Sequence, residues 1–313
     1  MHVIVHGGAG GTPEEPEPRQ AVLESAADAG SEADSVVDAV EAAVHVLESS
    51  PRFNAGVGSA VQSDGRIRTD AGLMTDDRAV GAACSLPDVE HAVSVARLVM
   101  EETPHGFLSG EHAVALAGEH GIETGVDLWS ERTREKWAEL GAPDPVAGAT
   151  AQLEWIRDQY GQTDPDGRDE AGEADDAGPT TAGVGDEHDH DTVGAVATDG
   201  DRIAAATSTG GRWLALAGRV GDVPQVGCGF YACPAAGVSA TGAGEDIARV
   251  TLSRRVARHV ERGLDAQAAA DLAIEEFGEL TGSSAGVIAV DSQGRLGAAY
   301  NSDGMQTARS RRR

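Results

Sequence analysis

The chain has little lysine, cysteine or aromatic content. It contains one lysine, Lys136, and three cysteines, and 4% of its 313 residues are aromatic. Cys84, Cys228 and Cys233 form neither a Cys-x-x-Cys pair nor a recognisable zinc spacing, so we expect buried thiols rather than disulfides or a zinc site. No apolar run approaches the length that spans a bilayer, and no secretory signal opens the chain. These absences favour a cytoplasmic protein.

Acidic side chains dominate the composition. There are 52 aspartate and glutamate residues against 24 lysine and arginine residues, which gives a formal net charge of −28. A nucleic acid or an anionic membrane surface would be repelled by this charge, so neither is expected as a partner. The excess is spread along the whole chain and arginine replaces lysine, which favours a high-salt cytoplasm where self-repulsion is screened.

One long segment has almost no apolar residues to bury. Residues 161–191 are rich in Asp, Glu, Gly and Thr, and we expect them to form an acidic, disordered linker. His188-Asp189-His190 within this segment could suggest a metal site. A flexible segment lacks the fixed geometry that a metal site needs, so no metal site is predicted there.

A threonine stands where this linker meets an apolar strand, in Asp191-Thr192-Val193-Gly194-Ala195-Val196. If the bond between Asp191 and Thr192 were cut, Thr192 would carry a hydroxyl nucleophile and an α-amine of near-neutral pKa. This is the nucleophile-plus-base arrangement of N-terminal threonine hydrolases. Taken alone, the stretch is explained more simply by a β-branched residue at the edge of a strand.

Helix and strand patterns occur in both halves of the chain. Helical spacing of apolar residues predicts helices from Asp34 to Pro51 and over 89–100, 110–120, 245–262 and 264–277, with partial helix in 128–160. Turn residues predict hairpins around 63–65, 199–201 and 291–294, and short strands are expected at 2–5 and 238–241. Antiparallel hairpins with long helices between them indicate an α+β fold, a four-layer αββα sandwich with two stacked, mainly antiparallel sheets.

Two glycine-rich stretches raise the alternative of nucleotide binding. His6-Gly7-Gly8-Ala9-Gly10-Gly11 lacks Gly-x-Gly-x-x-Gly spacing, so we predict a tightly packed turn near a buried site. Gly242-Ala243-Gly244 could be half of a dinucleotide-binding fingerprint. Ile247 replaces the third glycine of that fingerprint, and Glu245-Asp246 would repel a pyrophosphate.

Short stretches of sequence that resemble a single protein family occur along nearly the whole chain, outside the acidic linker. They resemble, in the same order, the plant-type L-asparaginase / isoaspartyl peptidase family of N-terminal nucleophile hydrolases, which is related to the glycosylasparaginases. The blocks are His6-Gly7-Gly8-Ala9-Gly10, Phe53-Asn54-Ala55-Gly56, Ala96-Arg97-Leu98-Val99-Met100, Thr103-Pro104-His105, Asp191-Thr192-Val193-Gly194, Thr207-Ser208-Thr209-Gly210-Gly211, Gly218-Arg219-Val220-Gly221-Asp222 and Thr241-Gly242-Ala243-Gly244-Glu245.

The resemblance implies how the catalytic residues are used. Thr192 matches the nucleophile that autocleavage after Asp191 frees, which would divide a single domain (1–313) into an α subunit (1–191) and a β subunit (192–313). Thr209 matches a second threonine beside the nucleophile, whose hydroxyl can orient it. Thr241 and Gly242 match an oxyanion hole made of a hydroxyl and a backbone N–H.

The resemblance also implies substrate-binding residues. Arg219 matches the group that binds the substrate α-carboxylate, and Asp222 matches the group that binds its α-ammonium. Gly244 matches a backbone contact to the substrate, and Asn54 matches an asparagine near the nucleophile. The loop 51–62 corresponds to one that often holds a structural sodium through backbone carbonyls. No metal or organic cofactor is expected in the chemistry, and two αβ units are expected to pair.

Two departures from the family pattern leave the substrate open. The stretch Arg212-Trp213-Leu214-Ala215-Leu216-Ala217 is bulkier and more apolar than its counterparts, and Cys233 stands where Asn or Asp is common. The expected activity releases aspartate from L-asparagine, from β-aspartyl peptides or from both, and glycosylasparaginase is the alternative. A nucleotide-binding oxidoreductase and a non-processing binding protein are the alternatives from other classes.

Overall fold

Two β-sheets and several helices form the protein, as the α+β prediction requires. The computed structural model describes residues 1–13, 15–140, 148–160 and 192–312. The predictions for Asp191 and for the linker 161–191 therefore fall outside the described residues. The helices are α1 Pro16–Glu32, α2 Val36–Glu48, α3 Ala92–Glu102, α4 Gly110–Glu119, α5 Glu131–Glu139, α6 Ala149–Tyr160, α7 Gly244–Val250, α8 Leu252–Glu261 and α9 Ala266–Thr281.

The strands pair mainly antiparallel, as predicted. They are β1 His2–Gly10, β2 Arg68–Thr75, β3 Val80–Pro87, β4 Phe107–Ser109, β5 Val193–Thr198, β6 Ile203–Thr209, β7 Phe230–Cys233, β8 Ala236–Gly242, β9 Ala285–Asp291, β10 Leu296–Tyr300 and β11 Gly304–Arg311. One sheet has the order β11-β1-β5-β6-β2-β3-β4, and the other has the order β10-β9-β8-β7. Only the pair β3–β4 is parallel among these strands.

Both sheets are in contact with helices and with each other. Helices α1, α2 and α3 pack on the larger sheet, and α8 and α9 pack on the smaller one, while β1, β5 and β6 contact β7, β8 and β9. Successive side chains on β1 consequently enter different cores, because side chains alternate across a strand. Val3 and Val5 face the α1–α3 core, and Ile4 faces the core shared with the smaller sheet.

The first glycine-rich stretch does not form the predicted turn, because β1 runs through it to Gly10. The pairing of β1 with β11 shifts register between His6 and Ala9, and Gly8 has a φ of 108°, which an L side chain rarely adopts. A Cβ on Gly7 would lie 2.5 Å from the ring of Phe53. The glycines therefore let the strand continue against a bulky neighbour.

The helix predicted over 245–262 is divided into α7 and α8. Thr251 between them has a φ of 51° and ψ of 58°, a left-handed conformation that ends one helix and begins the next. Among the described residues, no helix combines the length and apolar character needed to cross a membrane.

Candidate active site

Thr192 and Thr209 lie side by side at one end of the larger sheet. Thr192 directly precedes β5 and Thr209 ends β6, and the antiparallel register pairs Val193 with Ser208, so the two threonines come opposite each other. Both are buried, and Thr192 Oγ1 donates a hydrogen bond of 3.0 Å to Thr209 Oγ1. Thr209 Oγ1 also accepts the N–H of Gly211 at 3.1 Å. The hydroxyl of Thr209 is thus fixed beside that of Thr192.

A cavity of about 270 Å³ opens on these two hydroxyls. Six of the residues predicted from the sequence line it, although they come from distant parts of the chain: Thr192, Thr209, Arg219, Asp222, Gly242 and Gly244. The other lining residues among those described are Gly211, Arg212, Gly221, Ala243, Glu245, Ser283 and Ser284. A space of this size suits an amino acid or a small dipeptide better than a dinucleotide.

Arg219 extends into the cavity, and Glu245 holds its guanidinium there. Its Nε and Nη2 donate hydrogen bonds of 2.7 Å to the two carboxylate oxygens of Glu245, which is a bidentate ion pair. Burial lowers the pKa of Arg219, but the bonds to Glu245 outweigh this effect and raise it. Burial conversely raises the pKa of Glu245, and the bonds from Arg219 bring it below its ordinary value. Both groups are therefore charged, and the guanidinium has a fixed orientation.

Asp222 presents a buried carboxylate oxygen that lacks a hydrogen-bond partner. The residue is 6% exposed, and its Oδ2 is the atom without a partner. Burial raises the pKa of Asp222 to about 7, although Arg219 nearby lowers it. A buried polar atom without a partner is uncommon in folded proteins. A substrate ammonium would satisfy this atom and would favour the charged carboxylate.

Two glycines bring the backbone close to these charged groups. A Cβ on Gly244 would lie 2.8 Å from Asp222 Oδ1 and 3.0 Å from Arg219 Nη2, so a side chain would intrude on the pair. Gly242 ends β8 with a φ of 135°, and a Cβ there would lie 2.5 Å from the carbonyl oxygen of Ser284. The cavity wall here is therefore backbone.

Thr241 and Asn54 are not among the lining residues. The Oγ1 of Thr241 accepts the N–H of Ala9 at 3.3 Å, which connects β8 to the bulge in β1. Asn54 uses its amide group to hold backbone: Nδ2 donates to Gly211 O at 2.6 Å, and Oδ1 accepts the N–H of Ala60 at 2.7 Å. Asn54 thus attaches its loop to the segment that follows Thr209.

Two acidic residues at this site are not predicted from the sequence. Glu245 has no assigned role in the family resemblance, although it pairs with Arg219. Asp70 lies opposite Thr209 in the pairing of β2 with β6 and is 3% exposed. Burial raises the pKa of Asp70 to about 7, whereas its bond from the N–H of Ser85 and the charge of Arg219 lower it. An aspartate inside an apolar strand is the signal that could have identified Asp70.

Most of the residues that depart from the family pattern lie away from the cavity. Of the stretch 212–217, Arg212 lines the cavity, whereas Trp213 and Leu214 are buried in a small apolar cluster with residues of the 60–67 and 126–140 regions. The ammonium of Lys136 lies 4.3 Å from the centre of the Trp213 ring. Cys233 is buried in β7 and is not a lining residue. Trp213, Leu214 and Cys233 therefore contribute to the apolar packing of the protein rather than to the cavity wall.

A buried polar bridge joins the two sheets beside the start of β5. His6 Nε2 lies 2.8 Å from Ser239 Oγ, which lies 2.7 Å from Thr207 Oγ1. Gly194 stands between His6 and Thr207 in the register of β1, β5 and β6, and a Cβ there would collide with Ser239. The bridge fixes the strand two residues beyond Thr192.

Comparison with known proteins gives one consistent family. The model of a family described as asparaginase matches residues 1–313. The chain is 37% identical to a plant-type L-asparaginase of Pyrococcus furiosus, over 98% of this chain and 95% of that protein. It is 36% identical to an isoaspartyl peptidase/L-asparaginase of Danio rerio, over 96% of this chain and 89% of that protein. A protein of the same description from Rattus norvegicus is also 36% identical, over 98% of this chain and 85% of that protein.

Proposed function

Because this chain belongs to the asparaginase family, we propose that it is an amidohydrolase that releases aspartate from L-asparagine, from β-aspartyl peptides or from both. The observation that carries the proposal is the hydrogen bond of 3.0 Å between the hydroxyls of Thr192 and Thr209, inside a cavity that also holds Arg219 and Asp222. A hydroxyl nucleophile and two groups of opposite charge are what hydrolysis of an amino-acid amide requires.

The nucleophile becomes competent when the bond before Thr192 is cut. We propose autocleavage after Asp191, which would give subunits 1–191 and 192–313. The new α-amine of Thr192 has an ordinary pKa of about 8, so a large fraction is neutral near pH 7–8 and can accept a proton. Thr209 supports this role because its hydroxyl already holds Thr192 Oγ1 in place.

The reaction would proceed through an ester on Thr192. The α-amine takes the hydroxyl proton as Thr192 Oγ1 attacks the side-chain carbonyl carbon of the substrate, and the carbonyl oxygen becomes an oxyanion. The N–H of Gly242, which lines the cavity, would stabilise this oxyanion. The family resemblance assigns the hydroxyl of Thr241 to the same role, which requires its side chain to turn from Ala9 towards the cavity. The C–N bond then breaks, the proton passes to the leaving amine, and water hydrolyses the ester to release aspartate.

The substrate would be held by its amino-acid end. Its α-carboxylate would accept hydrogen bonds from Arg219, and its α-ammonium would bind the unpartnered Oδ2 of Asp222. The backbone of Gly244 would contact the substrate between these two groups. Asn54 is proposed to act indirectly, because both ends of its amide hold backbone near the site.

Three structural proposals accompany the activity. The two sheets with helices on their outer sides support a four-layer αββα arrangement. The buried loop 51–62 supplies backbone carbonyls, which are hard ligands that suit a structural sodium; the carbonyl of Asn54 already accepts the N–H of Gly210. Pairing of two αβ units follows from the family resemblance.

The alternatives are supported less well by the same site. A dinucleotide would meet Asp222 and Glu245 in the cavity that Gly242 and Gly244 line, where its phosphates would be repelled. Glycosylasparaginase remains the second candidate for substrate, since its substrate carries the same α-carboxylate and α-ammonium.

Intact-mass measurement with N-terminal sequencing tests the proposal. The wild-type protein, kept in concentrated salt, should give a fragment that starts Thr-Val-Gly-Ala, and Thr192→Ala should remain uncut and inactive. Thr192→Ser keeps a hydroxyl and should still be cut. Release of ammonia from L-asparagine and of the free amino acid from a β-aspartyl dipeptide should follow cleavage. An uncut but active wild-type chain would overturn the mechanism.

A further inference from the structure

Two histidines and a buried glutamate meet on the side of the larger sheet away from the cavity. His45 and Glu48 lie three residues apart on α2, so they share a face of the helix. His91 is the residue that directly precedes α3. One potential ligand atom from each residue lies within 4.8 Å of the other two, and no other three His, Cys, Asp or Glu side chains among the described residues come this close together.

We propose that His45, Glu48 and His91 form a binding site for a divalent transition-metal ion, with Zn²⁺ as the best-matched ion. Imidazole nitrogen and carboxylate oxygen are common zinc ligands, and three protein ligands leave one position for water. This site is separate from the proposed chemistry of Thr192, and its role is to join α2 to α3.

The geometry is close to what the ion requires. His91 Nδ1 lies 3.3 Å from Glu48 Oε2. Two ligands with bonds of ~2.0 Å to a tetrahedral ion are roughly 3.3 Å apart. His45 has to approach by the remaining distance; its side chain is 36% exposed, and the ring can turn about its contact with Ser94 to do so. The rings of His45 and His91 already face each other with centroids 4.1 Å apart.

Glu48 anchors the fold through one of its oxygens and contacts His91 through the other. Its Oε1 accepts hydrogen bonds from Ser208 Oγ at 2.6 Å and from the N–H of Val93 at 3.1 Å. Its Oε2 faces His91, and the side chain is fully buried. The carboxylate is thus held rigidly by one oxygen and offers the other to an ion.

Outer polar groups lie next to both imidazole rings, as is usual around metal ligands. His45 Nε2 lies 2.7 Å from Ser94 Oγ, which donates to Glu41 Oε1 at 2.7 Å. His91 Nε2 lies 3.8 Å from Glu90 Oε1. The carboxylates of Glu41, Glu48 and Glu90 thus surround the two histidines, and their negative charge favours a cation there.

Isothermal titration of the purified protein with ZnCl₂ tests the proposal, with Thr192→Ala as the background so that cleavage and activity play no part. The wild-type site should bind one Zn²⁺ per chain and raise Tm, and MgCl₂ should do neither. His91→Asn keeps a donor near the Nδ1 position for Glu48, and His45→Gln keeps one near Nε2 for Ser94. Each should weaken Zn²⁺ binding by at least ~10-fold, since even outer-shell changes cost that much.

Two controls separate this site from other zinc ligands. His188→Gln with His190→Gln, in the acidic segment, should leave the affinity unchanged, and so should His112→Asn on the exposed face of α4. Co²⁺ should give the absorption of a nitrogen–oxygen site without a thiolate charge-transfer band. Unchanged Zn²⁺ affinity in the doubly substituted His45→Gln, His91→Asn protein, with its metal-free Tm intact, would overturn the proposal. So would the absence of Zn²⁺ binding to the wild-type protein.

Discussion

Glu245 binds Arg219 along one edge of the guanidinium and leaves another edge towards the cavity. The hydrogen bonds of 2.7 Å use Nε and Nη2. A Cβ on Gly221 would lie 2.9 Å from Nη1, and one on Gly244 would lie 3.0 Å from Nη2, so both nitrogens face the glycine-walled part of the cavity. Glu245 therefore fixes the orientation of Arg219, the residue that we propose binds the substrate α-carboxylate.

Glu245→Gln should raise KM for L-asparagine about 10-fold and change kcat little. The amide removes the negative charge and one acceptor, so Arg219 loses its fixed direction, which costs about 1.4 kcal/mol of binding. Steady-state kinetics on fully cleaved protein measure this split. Glu279→Gln, at an exposed position of α9, is the matched control and should behave as wild type. A lower KM would show that Glu245 competes with the substrate instead.

Thr209→Val should lower kcat about 100-fold, because the variant keeps the shape of the side chain but removes the hydroxyl that holds Thr192 Oγ1. Thr209→Ser restores a hydroxyl and should recover most of the rate. The extent of cleavage must be measured on the same samples, since a slower cleavage step would also reduce activity. A fully cleaved Thr209→Val protein with wild-type kcat would contradict this role.

The affinity for substrate should depend on pH through Asp222. Burial raises the pKa of Asp222 to about 7, so below pH 7 the carboxyl is increasingly neutral and attracts the substrate ammonium less. KM should therefore rise by about 10-fold per pH unit below pH 7, whereas kcat should follow the α-amine of Thr192.

Two variants distinguish the effect of Asp222 on the pH dependence of KM from that of Asp70, whose pKa is also raised to about 7. Asp70→Asn should keep the dependence of KM on pH, and Asp222→Asn should have a high KM at every pH. Asp222→Asn should also be more stable than wild type above pH 7, on the order of 4 kcal/mol, because it removes a buried charge. This gain should vanish below about pH 4, where both states of the wild-type group are protonated.

His6 should make the fold sensitive to acid. Burial lowers the pKa of His6 to about 3, whereas an unfolded histidine titrates near its ordinary value of 6.5. Between pH 6.5 and 3 the unfolded chain therefore binds a proton that the folded chain does not, and stability falls as pH falls.

Comparison with His6→Gln isolates this contribution from the opposing effect of Asp70 and Asp222. Gln can keep a hydrogen bond to Ser239 but does not titrate. The wild-type free energy of unfolding should fall relative to that of His6→Gln by about 1.4 kcal/mol per pH unit below pH 6.5. Urea titrations at several pH values measure this difference. A constant difference between pH 7 and pH 4 would contradict the prediction.

The elements that could be predicted from the sequence are those whose apolar residues recur with a clear period. Helix α2 begins and ends where expected, because Ser35 caps it by accepting the N–H of Asp38 and Pro51 follows its end. The hairpin of β5 and β6 pairs as predicted. Helix α1 was missed because prolines and glutamates open it, and much of its buried surface comes from small residues such as Ala26, Ala27 and Gly30.

Other elements lacked the patterns on which prediction depends. Strands β2 and β3 are buried almost throughout, so the alternation that marks a half-exposed strand is absent. The last strand, β11, mixes polar and small residues and pairs with β1, at the opposite end of the chain. The division at Thr251 depends on a backbone conformation that threonine rarely adopts.

Prediction of the site came from the order of short blocks rather than from any single one. That order identified Thr192, Arg219 and Asp222, which the fold brings to one cavity. It could not identify the partner of Arg219, because the pairing with Glu245 depends on how the start of α7 meets the arginine loop. Autocleavage, the sodium, the pairing of αβ units and the cytoplasmic location stay predictions.

Lys136, which contacts Trp213, is a site at which amine-reactive reagents can label the protein. Chain termini aside, Lys136 carries the only primary amine in the sequence, and it lies 4.3 Å from an indole next to the cavity-lining Arg212. An amine-reactive fluorophore would thus attach at one internal site, where Trp213 can quench it. Substrate binding would become visible as a change in emission, and the α-amine that the proposed cleavage would create at Thr192 would be a further point of labelling.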